Sequence, residues 1–487
     1  MSNINERVGS AAKWSIFTEI IVKIISPITN MILARILVPE EFGVVATVTM
    51  IVSFADIFTD AGFQKYVVQH QFKTKEDEDL SINVAFWTNI TISLLFWLLI
   101  FLFAEQIATL VGNPGLGKVI YIGAAILPMT SFSSIQAAIF RKNLNYKELS
   151  FIRIIVKFIP LVVTVPLALM KFSYWALIIG NIAGELCNTL LLTYFSTWKP
   201  RFIYRYEKLK EMLHFCMWSL METISSWLVT NSGIFVLGTL FSQYYLGIYK
   251  TGTTMVAQIT SLISGATISV LFAGLSHVQN NYDEYKNLYF KFLKMIGILV
   301  IPLGAGILMY GDVVRSILLG SKWGDADLLI ALWGFVLAES VIFNDMSGVV
   351  TLSKGQPKLI FFSNMVQAAI LIPSLYFAAQ YGFTTVVIVS CIVRLQLPIM
   401  QTIIASRMSY ISIKDIFLEL KNYILSAVVM VVFAFISRNY LAGDINIYIS
   451  IVLCIVIYFG CLYMIPDSRK ELIGYMNMIK RRGRKLK

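Results

Sequence analysis

The sequence predicts an all-α polytopic membrane protein with about fourteen transmembrane helices. Apolar runs of about twenty residues recur along the whole chain, each long enough to cross a hydrocarbon core roughly 30 Å thick. Charged residues make up 14% of the sequence, whereas soluble domains carry about 25%. The links between runs are short, so the three soluble domains that length alone would suggest have nowhere to sit.

In chain order the apolar segments centre near residues 25, 53, 91, 128, 160, 184, 226, 259, 300, 339, 368, 394, 429 and 455. The first two are joined by "VPEE" (Val38–Glu41), read as a tight hairpin. Pro39 stops the first helix, and Glu40 and Glu41 open the next, where the helix dipole favours carboxylates. The longest polar links are residues 64–80, 198–211 and 277–287. Pro27, Pro160, Pro166, Pro302, Pro373 and Pro398 interrupt spans and are expected to kink them. The polar start and the long first run do not match a cleavable signal peptide, so the first span is expected to act as its own insertion signal. The five cysteines, without a C-x-x-C pair, read as small core residues.

Lys and Arg alternate between links. One set, with both termini, holds Arg7, Lys13, Lys65, Lys73, Lys75, Arg141, Lys142 and Lys147, a cluster at 199–210, and Lys286, Lys291, Lys294, Lys354 and Lys358. It ends in "KRRGRKLK" (480–487). The opposite set offers little beyond Arg35, Lys171, Lys322 and Arg438. Basic links resist translocation, so the basic side is expected to be cytoplasmic, with both termini there. The net charge of +12 then needs no nucleic acid; a basic juxtamembrane tail suits anionic lipid.

An internal repeat organises the spans. Trp14-Ser15 returns as Trp218-Ser219, and "EEFGVV" as "YYLGIY", which sets Gly43 opposite Gly247 at an offset of 204 residues. "KFSYWALIIGNI" (171–182) is echoed by "QYGFTTVVIVSCI" (380–392). The expected organisation is a six-helix bundle over 1–205 and a second over 206–410, related by pseudo-two-fold symmetry. Residues 411–487 add two helices and the basic tail.

The stretch from Trp14-Ser15 through "LARILVPEEFG" (33–43) to Asp60-Ala61-Gly62 and Gln64, with the later "GSKW" (320–323), resembles bacterial polysaccharide flippases. These belong to the multidrug/oligosaccharidyl-lipid/polysaccharide exporter superfamily, and the likeness is to the branch of the colanic acid and teichuronic acid exporters. The resemblance implies a non-enzymatic exporter that moves an undecaprenyl-pyrophosphate-linked oligosaccharide across the membrane for O-antigen, capsule or exopolysaccharide assembly. It also implies a polysaccharide polymerase and chain-length machinery as further partners. No cofactor is implied, and no site residue transfers from it.

The candidate site comes instead from ionisable residues inside the spans, which cost about 2.5–3.5 kcal/mol each on insertion scales and so normally face protein or water. In the first span Ser15, Glu19, Lys23, Ser26 and Asn30 form one helical face, with Glu19 and Lys23 at i,i+4. A hydrated central cavity accounts for so many polar faces. A lipid diphosphate needs cations there, and Lys23, Lys250 and Arg394 are the leading candidates, followed by Arg35 and Arg153. Asp56, Glu185, Glu222 and Glu339 are candidates for a coupling proton or Na⁺. "GAGILMYG" (304–311) reads as helix packing rather than a nucleotide loop, and "KTKEDED" (73–79) as a solvated cytoplasmic loop rather than a metal cluster. Two rival readings stay open: a drug/cation antiporter of the same superfamily, and a membrane polymerase or polyprenyl-dependent glycosyltransferase.

The charge asymmetry makes a direct prediction. With the native cysteines replaced, Lys75→Cys and Lys210→Cys should react with an impermeant maleimide only after the cytoplasmic face is opened. Glu40→Cys should react in intact cells.

Overall fold

A computed structural model describes residues 2–474 apart from 61, 410 and 441–443, and their side chains apart from 2–13, 16, 60, 214, 218, 266, 440 and 444–446. Arg7, Lys13, Asp60, Ala61, Trp218 and the tail from Lys480 therefore lie outside the described side chains. Fourteen helical stretches among the described residues are long and apolar enough to cross a membrane, and each expected centre falls in one of them. They are α1 (Ser2–Ile36), α2 (Pro39–Asp60), α3 (Lys75–Leu102), α4 (Ile126–Lys142), α5 (Tyr146–Ile159), α6 (Tyr174–Phe195) and α7 (Tyr206–Leu240). There follow α8 (Gln243–His277), α9 (Tyr282–Met309), α10 (Asp327–Ser340), α11 (Pro357–Ala379), α12 (Phe383–Arg394, whose span runs on through the helix Gln396–Ser409), α13 (Ile413–Tyr440) and α14 (Asp444–Met464). The span containing α4 begins in the short helix Gly117–Gly123. Two are lengthened through a π-turn, at Pro160–Thr164 after α5 and Val341–Asp345 after α10. Pro160 lacks the N–H that a regular turn would use there.

Two compact units result. The first takes residues 1–258 with 316–325 and 364–390; the second takes 259–315, 326–363 and 391 onward. The first has a core around Val48, Ile100, Ile120 and Leu127, and another around Phe63, Phe86, Ile135 and Met212. The second is built on α9, which packs against α10 and α13, while α13 packs against α14. Tyr289, Leu293, Tyr423 and Tyr458 are buried at its centre. Lys294 of α9 holds Glu419 of α13 at 2.7 Å and Glu471 at 2.8 Å, so ion pairs add to the apolar contact. In the same unit a Cβ on Gly304 would lie 2.5 Å from Ala338 Cβ, consistent with close packing of α9 on α10.

Why 316–325 joins the first unit is visible at the end of α1. The last carbonyls of a helix have no partner within it. Here Trp323 Nε1 donates to Ala34 O at 2.8 Å and Lys322 Nζ to Ile36 O at 2.9 Å. Trp323 is fully buried, with Phe42 edge-on at 5.3 Å. "LARILVPEEFG" and "GSKW" thus interlock. The hairpin behaves as expected: α2 begins at Pro39, and Val38 N–H donates to Glu41 Oε2 at 2.9 Å.

The contact is reciprocal under the 204-residue offset. A Cβ on Gly43 would stand 2.0 Å from Gln243 O, and one on Gly247 1.8 Å from Pro39 O. Gln243 is the counterpart of Pro39, so each glycine admits the other repeat's backbone. Gly238, the counterpart of Ala34, also has its carbonyl met by a loop side chain, Asn113 Nδ2 at 3.5 Å. Gly112 and Gly320 turn the two loops at φ 76° and 88°. Residue i touching j while j touches i is the pattern of a two-fold axis.

"KTKEDED" departs from the expected loop. Thr74 caps α3 by accepting from Asp77 N–H at 3.1 Å, and acidic residues fill the first turn. Asp77 pairs with Lys208 at 2.6 Å, and Glu78 with Lys142 at 2.9 Å. The Asp77 carboxylate, with Glu211, pushes the Lys208 ammonium up to about 12.

Gly247→Val should prevent accumulation of folded protein by detergent size-exclusion chromatography. Gly306→Ala, with open space around it, should not. Trp323→Phe puts a smaller ring in a fully buried site and leaves Ala34 O without its donor, and should lower stability by at least about 1–3 kcal/mol in thermal unfolding.

Candidate functional site

Within the first unit α2, α3, α4, α5 and α6 enclose a polar cavity of about 260 Å³. The residues that line it come from sequence that alternates wall and filler. "TSFSS" (130–134) on α4 supplies hydroxyls at helical spacing, while Leu127 and Ile135 on the same helix are fully buried in apolar contact. Asp56 reaches in from α2, Glu185 and Asn188 from α6, and Arg153 from α5.

The two carboxylates are held by neutral groups. Asp56 Oδ1 accepts from Thr59 Oγ1 at 3.0 Å and Thr130 Oγ1 at 3.2 Å. Glu185 Oε1 accepts from Ser133 Oγ at 2.9 Å and Asn188 Nδ2 at 3.0 Å. Neither carboxylate has a Lys or Arg within 4.0 Å among the described residues. Two guanidiniums share the cavity. Arg153 Nη1 lies 3.2 Å from Glu19 Oε1, and Arg141 Nη1 donates to Gln64 Oε1 at 3.0 Å. Asn89 and Ser131 are buried on its wall, and Asn89 Oδ1 and Ser131 Oγ have no hydrogen-bond partner among the described residues. Such groups are costly in a dry interior, so the cavity is suited to water or a polar ligand. Chemically it can bind an anion at the guanidiniums and exchange a proton or small cation at the carboxylates.

The structure brings together three of the nine sequence-selected residues: Asp56, Glu185 and Arg153 line this one cavity. Lys23 is half-buried on α1, on the face with Ser15, Glu19, Ser26 and Asn30, while Phe17, Ile20, Ile24 and Ile28 point outward. Lys250 is half-buried on α8 of the same unit. Glu222 is exposed and sits 3.4 Å from Lys65. Arg35 is exposed at the hairpin end of α1 and donates from Nη2 to Ile317 O at 3.1 Å, capping a helix end away from the cavity. In the second unit the Arg394 guanidinium lies 4.7 Å over the Trp333 ring. Glu339, two turns along from Trp333 on α10, keeps a buried Oε2 without a hydrogen-bond partner among the described residues.

Sequence reasoning missed Arg141, Gln64, Asn89, Ser133 and Asn188 as site residues. In the sequence Arg141 reads only as part of a basic link. The hydroxyl run on α4 was the available signal, since four Ser or Thr in five residues of a span are rarely all turned to lipid. Gly62, at φ 89°, carries the turn between Asp60 and Gln64; a Cβ there would meet Ser219 Cβ at 2.7 Å.

Known proteins share both the sequence and the architecture. Residues 32–327, more than half of the chain, match the family described as "Polysaccharide biosynthesis protein". The succinoglycan biosynthesis transport protein ExoT of Rhizobium meliloti (strain 1021) is 23% identical over 73% of this chain and 71% of its own. The lipopolysaccharide biosynthesis protein WzxC of Escherichia coli (strain K12) is 22% identical over 78% and 76%. The teichuronic acid biosynthesis protein TuaB of Bacillus subtilis (strain 168) is 22% identical over 78% of each. Among solved structures, the inward closed conformation of lipid II flippase MurJ superposes with a TM-score of 0.73 over 95% of this chain and 99% of its own, at 14% identity. An inward-facing MATE transporter of the MOP superfamily gives 0.61 over 80% and 96%, also at 14%. With the fold shared at that level and the matched region covering most of the first unit, the chain belongs to the polysaccharide biosynthesis protein family and is a multi-pass membrane protein.

Proposed function

We propose that this protein is a flippase that carries an undecaprenyl-pyrophosphate-linked oligosaccharide across the bacterial inner membrane by alternating access, for surface polysaccharide assembly. One observation carries the reading: a cavity formed by membrane-spanning helices places Arg141 and Arg153 beside hydroxyls, amides and two carboxylates. A lipid diphosphate carries at least two negative charges, and guanidinium binds phosphate oxygens through paired charge-assisted hydrogen bonds. The glycan is polar and could not pass through hydrocarbon without such a lining. The tail would remain in the bilayer. The names of ExoT, WzxC and TuaB support the substrate class.

In this reading Lys23, Lys250, Arg394 and Arg153 supply cationic contacts to the diphosphate, and Arg35 acts at the hairpin. Asp56, Glu185 and Glu339 are the groups to exchange a coupling proton or Na⁺, with Glu222 a further one. Bundles over 1–205 and 206–410 would rock about the Gly43–Gly247 contact, and 411–487 would add the extra helices. Both termini would be cytoplasmic. The protein would act without chemical catalysis, handing its lipid to a polymerase and chain-length machinery.

In a host deleted for its own exporter, Lys23→Ala, Lys250→Ala and Arg394→Ala should each abolish surface polysaccharide while membrane protein levels stay normal by immunoblot. Unchanged polysaccharide in all three would remove these cations from the mechanism. Accumulation of a fluorescent cation in vesicles, with no lipid-linked sugar moved, would replace the flippase by an antiporter.

A further inference from the structure

Beside the charged cavity, α2 and α7 border a second hollow of about 310 Å³. Its α7 wall is a row of hydroxyls: Ser219, Thr223, Ser226 and Thr230 fall at i, i+4, i+7 and i+11, one face of the helix. Thr223, Ser226 and Thr230 are exposed, although α7 is apolar enough to cross a bilayer. Hydroxyls gain nothing from acyl chains, so this is a face built for water or a polar ligand.

The donor and acceptor balance narrows the ligand. Thr223 and Thr230 donate to the carbonyls of Ser219 and Ser226 at 2.8 and 2.9 Å. Each hydroxyl thereby commits its one hydrogen to its own helix and leaves lone pairs to accept. Ser219 Oγ is buried without a partner among the described residues. Asp56 borders both hollows and adds carboxylate oxygens. The wall is therefore rich in acceptors, a poor match for phosphate but a good one for a ligand with many O–H groups. Lys65, at the rim, is already 3.4 Å from Glu222.

Trp227 completes the site. Its indole N–H donates to Ser53 Oγ at 2.9 Å, and Phe54 lies tilted against it at 4.9 Å. The ring is thus fixed from two sides while it still borders the hollow. A pyranose presents hydroxyls around its edge and a patch of C–H bonds on its face. The first suit the acceptor row, and the second suits the negative face of an indole. An apolar drug would strand these polar groups instead.

We infer that this hollow is a glycan subsite, which takes a short piece of the oligosaccharide with Trp227 under one sugar ring and the α7 hydroxyls and Asp56 around its edge. Its volume lies at the small end of the roughly 300–1,000 Å³ typical of ligand sites, in keeping with a fragment rather than a whole repeat unit. The inference rests on the flippase reading and adds to it the groups that sense the sugar.

The test compares two probes on the full-length protein in nanodiscs: sugar-free undecaprenyl pyrophosphate and undecaprenyl-pyrophosphate-lactose. The wild type should bind the sugar-bearing lipid at least about tenfold more tightly, the worth of one or two net hydrogen bonds. Trp227→Ala, and separately the near-isosteric Thr223→Val/Ser226→Ala/Thr230→Val, should erase that preference while affinity for the sugar-free lipid holds. Trp227→Phe, which keeps an aromatic face, should retain most of it, and the hydroxyl variant decides the matter if Trp227→Ala does not fold. A wild type without the preference, variants that keep it, or variants that weaken both lipids equally would overturn the subsite. A wild type that binds neither lipid would overturn the flippase reading itself.

Discussion

A polar group placed in hydrocarbon must find a partner or be given water, and the organisation of this protein follows from that constraint. The clearest case is the end of α1. Its terminal carbonyls at Ala34 and Ile36 would be orphaned as the chain turns at Pro39. Trp323 and Lys322, nearly three hundred residues later, satisfy both. That requirement draws a ten-residue segment, 316–325, into a unit with which it has no continuity in sequence.

The same need is met twice, once in each repeat, and the two solutions face each other. Gly43 and Gly247 allow it because only hydrogen leaves room for the opposing carbonyl oxygens of Gln243 and Pro39. Any side chain would force the helix ends apart by the width of a methyl group and strip the caps from their carbonyls. Close approach, capping and symmetry are thus one interaction seen three ways, and two of the segments that carry the family likeness, 33–43 and 320–323, take part in it.

Charge is handled in two ways: by ion pairs between helices, Arg153 with Glu19 among them, and by neutral partners. Near the ends, ion pairs tie helices together, as with Lys208 and Asp77 or Lys294 with Glu419 and Glu471. Water there keeps the desolvation cost low. Inside the spans Asp56 and Glu185 are held by Thr, Ser and Asn instead. A direct ion pair at that depth would be tight and hard to exchange. Neutral partners steady a carboxylate without pairing it to a fixed cation.

The sequence by itself determined the number of spans, their approximate centres and the hairpin at Val38–Glu41, and it pointed to the repeat. These depend on local quantities: run length against bilayer thickness, proline chemistry, and residue identity at a fixed offset. It also marked Asp56, Glu185 and Arg153, because an ionisable residue inside an apolar run stands out wherever it lies. Only the tertiary structure decided which of these meet. Arg35 and Arg153 look alike in sequence, yet one caps a helix end and the other enters the cavity. "KTKEDED" reads as loop until Thr74 and Lys208 make it a helix start. Arg141 and Asn89 carried no local mark, since their importance comes from neighbours forty to eighty residues away. Periodicity fixes the face a side chain occupies, but helix packing chooses what that face meets.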